Sequence, residues 1–315
     1  MKKRKVLVTG GAGFIGSNIV DRLIAQKHEV FIFDNLSTGI KDYINPKAVF
    51  FEGNVSRKEH LEKVFENNLD AVFHIAGCAS NISSFSDPML DINSNFIGTV
   101  NVVRKCIEHK ISRFLYASSM TVYGEIKELP VKETTHTIPI SYYGISKYAA
   151  ERFVHATAKR KDLNFVFNAT SFRMFNVYGK RQSLTNPYQG VMAIFIGNVL
   201  RNEPVTIFGD GKQSRDFVHI DDVANAWIRS LDDKRTFGQV YNLGFGKDTS
   251  VNQLVSIITA TMGKNPKTYK IIRKEGRPGD QRHMRADITK ISSLGWKPKI
   301  DLKEGLERTI EWART

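Results

Sequence analysis

An apolar run, Lys5–Thr9, opens directly into TGGAGFIG (9–16), in which Gly10, Gly13 and Gly16 are spaced three apart. Glycine at these points lets the chain turn tightly, lets backbone approach a pyrophosphate, and lets the following helix pack close to its strand. Ile15, Ile19, Leu23 and Ile24 then recur on one helical face. The start of such a helix offers free N–H groups and a positive dipole end to phosphates. A second β-branched run, Val30–Asp34, ends in a carboxylate 24 residues beyond Gly10. There it can accept hydrogen bonds from both ribose hydroxyls of an adenosine and repel a 2′-phosphate. Strand, glycine turn, helix, strand and acid in this order point to dinucleotide binding, with NAD favoured over NADP.

The same alternation continues along the chain. Val49–Glu52, Ala71–Ile75, Arg113–Ser118 and Asn164–Arg173 read as further strands, and 88–109 and 142–161 as helices. This is the pattern of a parallel α/β sheet. After about Arg173 it becomes less regular, with helices expected near 190–201, 221–231, 251–262 and 302–313 and short strands such as Val205–Phe208. The expected division is a dinucleotide-binding domain at 1–172, with a segment near 215–235 returning to it, and a substrate domain at 173–315.

Other classes are narrowed by composition. Two cysteines, Cys78 and Cys106, leave no disulfide scaffold and no four-cysteine zinc site. The longest apolar stretch, Val191 to Leu200, is too short to cross a bilayer, and the apolar segment after the basic N-terminus stops at Thr9. A soluble cytoplasmic protein is expected. The formal net charge of +14 raises the question of an anionic partner. The basic residues are scattered, however, and none interleave with aromatics as in single-strand binders, which counts against nucleic acid. His74, His219 and His283 sit in separate motifs without metal-ligand spacing, so no metal is assigned.

Two further groups carry chemistry. Tyr143 and Lys147 stand four apart in a helical stretch and project from one face. A nearby ammonium, with the positive charge of an oxidised nicotinamide, lowers the pKa of a phenol that is otherwise a poor base. Ser118-Ser119-Met120-Thr121-Val122-Tyr123-Gly124 follows an apolar strand, and hydroxyls at a strand's C-terminal end face the crevice where open α/β sheets bind ligands. Taken alone, each group reads more readily as an ordinary surface helix and as a Ser/Thr turn ending a strand.

Taken together, the chain resembles the extended short-chain dehydrogenase/reductases, specifically the NAD-dependent nucleotide-sugar epimerase/dehydratase group. The resemblance runs through TGGAGFIG, HIAG (74–77), Asn95 to Asn101, SSMTVYG (118–124), Tyr143xxxLys147, FRMFNVYGKRQ (172–182), FGDGKQSRDFVHIDDVA (208–224) and RPGD (277–280). It implies a Rossmann-type doubly wound parallel sheet with a smaller mixed α/β C-terminal domain, and a homodimer formed through the 88–109 and 142–161 helices. It also implies a catalytic trio of Ser119, Tyr143 and Lys147. NAD would be lined by Gly10, Gly13, Phe14, Ile15, Gly16, Asp34, Asn35, Ser37, Asn54, Val55, Ala76, Gly77, Asn95 and Ala117, with Tyr143 and Lys147. Most members carry Asp at the position of Asn54. The nucleoside diphosphate of a UDP-sugar would be held by Asn176, Gln189, Thr206, Phe208, Arg215, Arg277 and Asp280, with Ser119 at the sugar.

Dehydratases and decarboxylases of the group carry acidic residues just after the catalytic hydroxyl, where this chain has Met120 and Thr121. No general acid stands there, which favours oxidation and re-reduction at one carbon. The implied activity is 4-epimerisation of a UDP-hexose. The alternatives are an epimerase or reductase of a CDP-, dTDP- or GDP-sugar, or a non-catalytic nucleic-acid-binding relative. Met284 falls where relatives limit the pocket around the sugar's C2 substituent. A flexible methionine there implies that N-acetylated sugars are tolerated, while a purely space-filling role stays open.

Overall fold

Uninterrupted runs of Val, Ile and Phe become strands here because both of their faces are covered. The computed structural model describes residues 3–186, 190–276 and 281–315. They fall into two compact units, one of residues 1–122, 141–173 and 224–241, the other of 123–140, 174–223 and 242–315. With strands numbered in chain order, the first unit is built on β1 (Lys5–Thr9), β2 (Glu29–Asp34), β3 (Val49–Glu52), β4 (Ala71–His74), β5 (Arg113–Ser119), β6 (Asn168–Met174) and β10 (Gln239–Leu243). Their order in the sheet is β10-β6-β5-β4-β1-β2-β3. The pairs from β3 through β5 are parallel, with Thr9 opposite both Phe33 and His74. All residues of β4 and β5 are buried, whereas the edge strand β3 is half exposed.

This order reverses between β1 and β4. In a doubly wound sheet the crevice at such a switch point, beyond the carboxyl ends of the strands, receives ligand. Those ends are Thr9, Asp34, His74 and Ser119. One core of the unit packs Leu7, Phe31, Phe33, Phe65, Val72, Phe114 and Val154 under the helices.

Three expectations are corrected in this unit. The strand foreseen from Asn164 begins at Asn168, because the neighbouring β5 begins only at Arg113 and the Asn168 N–H reaches the Ser112 carbonyl. The helix foreseen across 142–161 ends at Ala158. The helix foreseen across 88–109 is broken: a short α-turn, Pro88–Asp91, passes through a π-helical stretch, Ile92–Ile97, before α-helix resumes at Gly98–Glu108. Such π-turns are frequent at functional sites, and this one carries Asn95.

The second unit has a mixed three-stranded sheet, β11 (Asp248–Ser250), β9 (Ser214–His219) and β7 (Asn176–Tyr178), and a parallel pair, β12 (Ile271–Lys274) with β8 (Val205–Phe208). β9 runs antiparallel to β11 and parallel to β7. The helices Val191–Leu200, Val251–Thr261 and Leu302–Ala313 bury Phe195, Ile196, Leu254, Ile258 and Leu306 in its core. Among the described residues, no helix is long and apolar enough to cross a membrane.

Candidate active site

The glycine turn between β1 and the helix Phe14–Ala25 has the shape its sequence implies. Gly10 has φ +70°, a left-handed conformation, and a Cβ there would lie 2.8 Å from the Ala76 nitrogen. A Cβ on Gly16 would run into the Gly10 carbonyl oxygen. Gly13 caps the helix without any side-chain hydrogen bond, so the first-turn N–H groups around Phe14 and Ile15 are not taken up by a cap. These are the conditions under which a helix start accepts an anion.

Asp34 closes β2 and is buried. Its Oδ2 accepts from the Ala12 N–H at 3.0 Å and its Oδ1 from the Leu36 N–H at 2.8 Å. Burial lifts the carboxyl above its ordinary range while those two amides oppose the shift. Asn35 and Ser37 are exposed just beyond and bonded to each other. Asn54 uses its Oδ1 to hold the Ser56 N–H and hydroxyl, both at 2.9 Å. Val55 is buried against Gly98. Ala76 and Gly77 follow β4, and a Cβ on Gly77 would collide with the Asn95 Oδ1. That oxygen is itself buried and unpartnered. An orphaned acceptor, a glycine cradle and a terminal carboxylate together fit NAD.

His74 is fully buried and bridges the Thr9 hydroxyl (2.7 Å) and the Thr99 hydroxyl (3.0 Å). Burial pushes its imidazole down to about 3, so it is a neutral brace between β1, β4 and the helix above. The remaining expected metal-free histidines, His219 and His283, contact Asp221 and Ser214 in the second unit.

Ser119 and Tyr143 meet. β5 ends at Ala117-Ser118-Ser119, all buried, and the helix Tyr142–Ala158 starts from Ser141, whose hydroxyl caps the Gly144 N–H at 3.1 Å. The Ser119 hydroxyl lies beside the Tyr143 phenol, where it opposes the effect of burial on that group, and it is held by the Thr121 hydroxyl at 2.9 Å and N–H at 3.2 Å. Lys147, one turn on, is buried, with its Nζ 4.8 Å from the Tyr116 ring centre. Burial pushes Tyr143 up to about 12 and Lys147 down to about 8. For the chain by itself, then, desolvation outweighs the lowering of the phenol that the Lys147 spacing suggests.

Several residues here had escaped the sequence reading. Ser118, next to Ser119, points elsewhere: its hydroxyl reaches the Glu151 Oε2 at 2.6 Å. Glu151 also takes both arms of Arg173, at 2.6 and 3.1 Å, and all three are buried. The four-residue spacing Tyr143, Lys147, Glu151 is the signal that could have found it. Asp91 and Ser146 bond Asn95 behind Lys147; Asp91 lies four residues before Asn95.

The described residues among those expected to grip a nucleoside diphosphate belong to the second unit. Asn176 opens β7 with its Oδ1 buried and unpartnered. Thr206 and Phe208 are half-buried on β8. Arg215 is buried on β9, one Nη donating to the Ser214 carbonyl at 2.8 Å. Met284 is fully buried, its N–H on the Ser214 carbonyl at 3.2 Å. Gln189, Arg277 and Asp280 lie outside the described residues.

Comparison with known proteins agrees with this geometry. Residues 6–244 match the model of the NAD dependent epimerase/dehydratase family. A putative UDP-glucose 4-epimerase of Methanocaldococcus jannaschii is 40% identical over 98% of both chains. The crystal structure of a UDP-glucose 4-epimerase with UDP-glucose from Thermotoga maritima superposes with a TM-score of 0.92 at 38% identity, covering 98% of each chain. A UDP-N-acetylglucosamine 4-epimerase from Methanobrevibacter ruminantium, in complex with UDP-N-acetylmuramic acid, gives 0.91 at 33% identity over 100% of this chain and 99% of that one. With its glycine turn, its Tyr143–Lys147 helix and 239 residues inside the family's pattern, the chain belongs to the NAD-dependent epimerase/dehydratase family.

Proposed function

We infer that this protein inverts C4 of a UDP-hexose, using NAD that is restored in each cycle. The observation that carries the reading is the buried Ser119 hydroxyl set beside the Tyr143 phenol, with buried Lys147 one helical turn on and no acid at Met120 or Thr121. Bound NAD supplies the hydride acceptor and donor and a positive charge. Tyr143 takes the proton of the sugar 4-hydroxyl as C4 is oxidised and returns it when C4 is reduced on its other face. Ser119, held by Thr121, hydrogen-bonds the reacting oxygen. Lys147 lends its charge to the phenolate. Arg215 and Asn176 serve the pyrophosphate and nucleoside, a guanidinium fork suiting two phosphates.

A coupled assay over UDP-glucose, UDP-galactose and their N-acetyl forms tests this reading. Interconversion within a pair without net NADH release supports it, while stoichiometric NADH release marks a dehydrogenase and defeats it. Met284, as gatekeeper, predicts that Met284→Tyr loses the N-acetyl sugars far more than the plain ones. Equal losses on both pairs return Met284 to a space-filling role.

Asp34 sets the cofactor. A 2′-phosphate beside its carboxylate meets about 1–4 kcal/mol of repulsion, so NAD should bind tighter than NADP by roughly tenfold or more. Equal affinities by calorimetry would contradict this.

A homodimer belongs to the same reading. Met89, Leu90, Ile92, Tyr142 and Ile145, on the stretches around 85–97 and 142–145, are between 40% and 58% exposed, a concentration of large apolar side chains that a partner copy would cover. Sedimentation at micromolar concentration should give the dimer mass, and a monomer mass would refute it. Both cysteines are unpaired, which suits the reducing cytoplasm where UDP-sugars are handled.

A further inference from the structure

Lys147 is a buried ammonium, and no carboxylate among the described residues comes within ion-pairing distance of it. The titratable groups around it and Tyr143 come from several elements. His74 on β4 is neutral, and burial keeps Tyr116 on β5 and the Cys78 thiol, in the loop after β4, protonated. Glu151, a turn further along the same helix, is matched by Arg173. Asp87, at the start of the π-containing segment, acts on Cys78 rather than on the pair. Asp91 is left as the carboxyl that acts on both Tyr143 and Lys147; burial lifts it above its ordinary range, while the Ser146 hydroxyl, the Lys147 charge and the Asn95 amide oppose the shift.

Asp91 is 1% exposed, at the last position before the π-helical stretch. Its Oδ2 accepts from the Asn95 amide at 3.2 Å and from the Ser146 hydroxyl at 3.1 Å. The Asn95 amide nitrogen is shared with the Ser146 oxygen at 3.1 Å. With its NH2 group so occupied, Asn95 turns its unpartnered oxygen toward Gly77, and the Lys147 Nζ lies 3.9 Å from the point where a Gly77 Cβ would stand. A neutral Asn or Ser could satisfy the same donors without the cost of burying a charge. The carboxylate therefore needs a reason beyond hydrogen bonding.

We propose that Asp91 is a positioning residue for the Tyr143–Lys147 pair. Through Asn95 and Ser146 its carboxylate fixes the amide oxygen beside Gly77 and the Lys147 Nζ, and it lays a negative charge behind both groups of the pair. The proposal rests on the proton-handling role given above to Tyr143 and Lys147, and not on the identity of the sugar.

The test is a titration of the Tyr143 phenolate by its near-ultraviolet absorbance in NAD-loaded protein, with Tyr143→Phe as the blank. The two groups titrate as a coupled pair, and loss of a neighbouring negative charge makes either proton easier to release. In Asp91→Asn the midpoint should fall by about one pH unit. Asp91→Ser, which leaves room for water, should do the same, and the shift is read in whichever of the two folds. Ser146→Ala keeps the carboxylate and should leave the midpoint in place. An unchanged midpoint in the Asp91 variants, or an equal fall in Ser146→Ala, would overturn the proposal. So would failure of both Asp91 variants to fold while Ser146→Ala folds, since Asp91 would then be a folding element. No sugar enters the measurement, so an inactive epimerase would defeat the functional reading and leave this result standing.

Discussion

Tyr143→Phe should lower kcat by ~10²–10⁴-fold while NAD and UDP-sugar still bind, because the ring keeps its packing and only the proton-carrying oxygen is lost. The Ser119 hydroxyl would lose its phenol neighbour but stay anchored by Thr121. Binding by calorimetry and turnover by the coupled assay should therefore separate cleanly. A variant that keeps more than about half of wild-type turnover would remove Tyr143 from the mechanism. One that loses binding as well would make the residue structural.

Glu151→Ala should cost about 3–5 kcal/mol of stability, the usual result of stripping one partner from a buried ion pair. Arg173 would keep its guanidinium charge with its carboxylate gone, and the Ser118 hydroxyl would lose its acceptor. The loss should show as a lower denaturant midpoint at constant slope. An exposed pair offers the contrast. Arg160 and Asp162 are in contact at 2.6 Å on the surface, and Asp162→Ala should leave the midpoint nearly unchanged, because solvent screens an exposed pair. If Glu151→Ala were equally silent, the buried network would not hold β5, β6 and the helix Tyr142–Ala158 together.

The two serines ending β5 show how far local pattern reaches. Two adjacent serines at a strand end look alike in the sequence, and what separates them is the partner each one finds. Both partners here lie on the Tyr142–Ala158 helix, with Glu151 taking the Ser118 hydroxyl and the Tyr143 phenol lying beside Ser119. Position relative to Gly124, through the resemblance, was enough to choose Ser119; periodicity alone was not. The broken helix is a similar case. Pro88 to His109 reads as one amphipathic helix, with Phe96, Val100, Val103 and Ile107 recurring, and nothing in that recurrence announces the π-turn that carries Asn95. In the second unit, β12 is exposed along its whole length, so it shows neither alternation nor a buried run.

What the sequence determined by itself is whatever a few neighbouring residues decide. The glycine turn needs φ +70° at Gly10 and a missing Cβ at Gly16, and those demands are written into TGGAGFIG. Tyr143 and Lys147 share a face because four residues make about one helical turn. Asp34 stands at the carboxyl end of β2 because the run of Val30 to Phe33 before it is a strand. Packing across the sheet and helices sets which distant groups these residues answer to. Asp91 lies 52 to 56 residues before Tyr143 and Lys147 along the chain, and Glu151 finds Arg173 across 22 residues. Burial of those charges, and with it the protonation of the pair, depends on how much water the packed layers exclude. That quantity belongs to the assembled sheet and helices and to no segment of the chain.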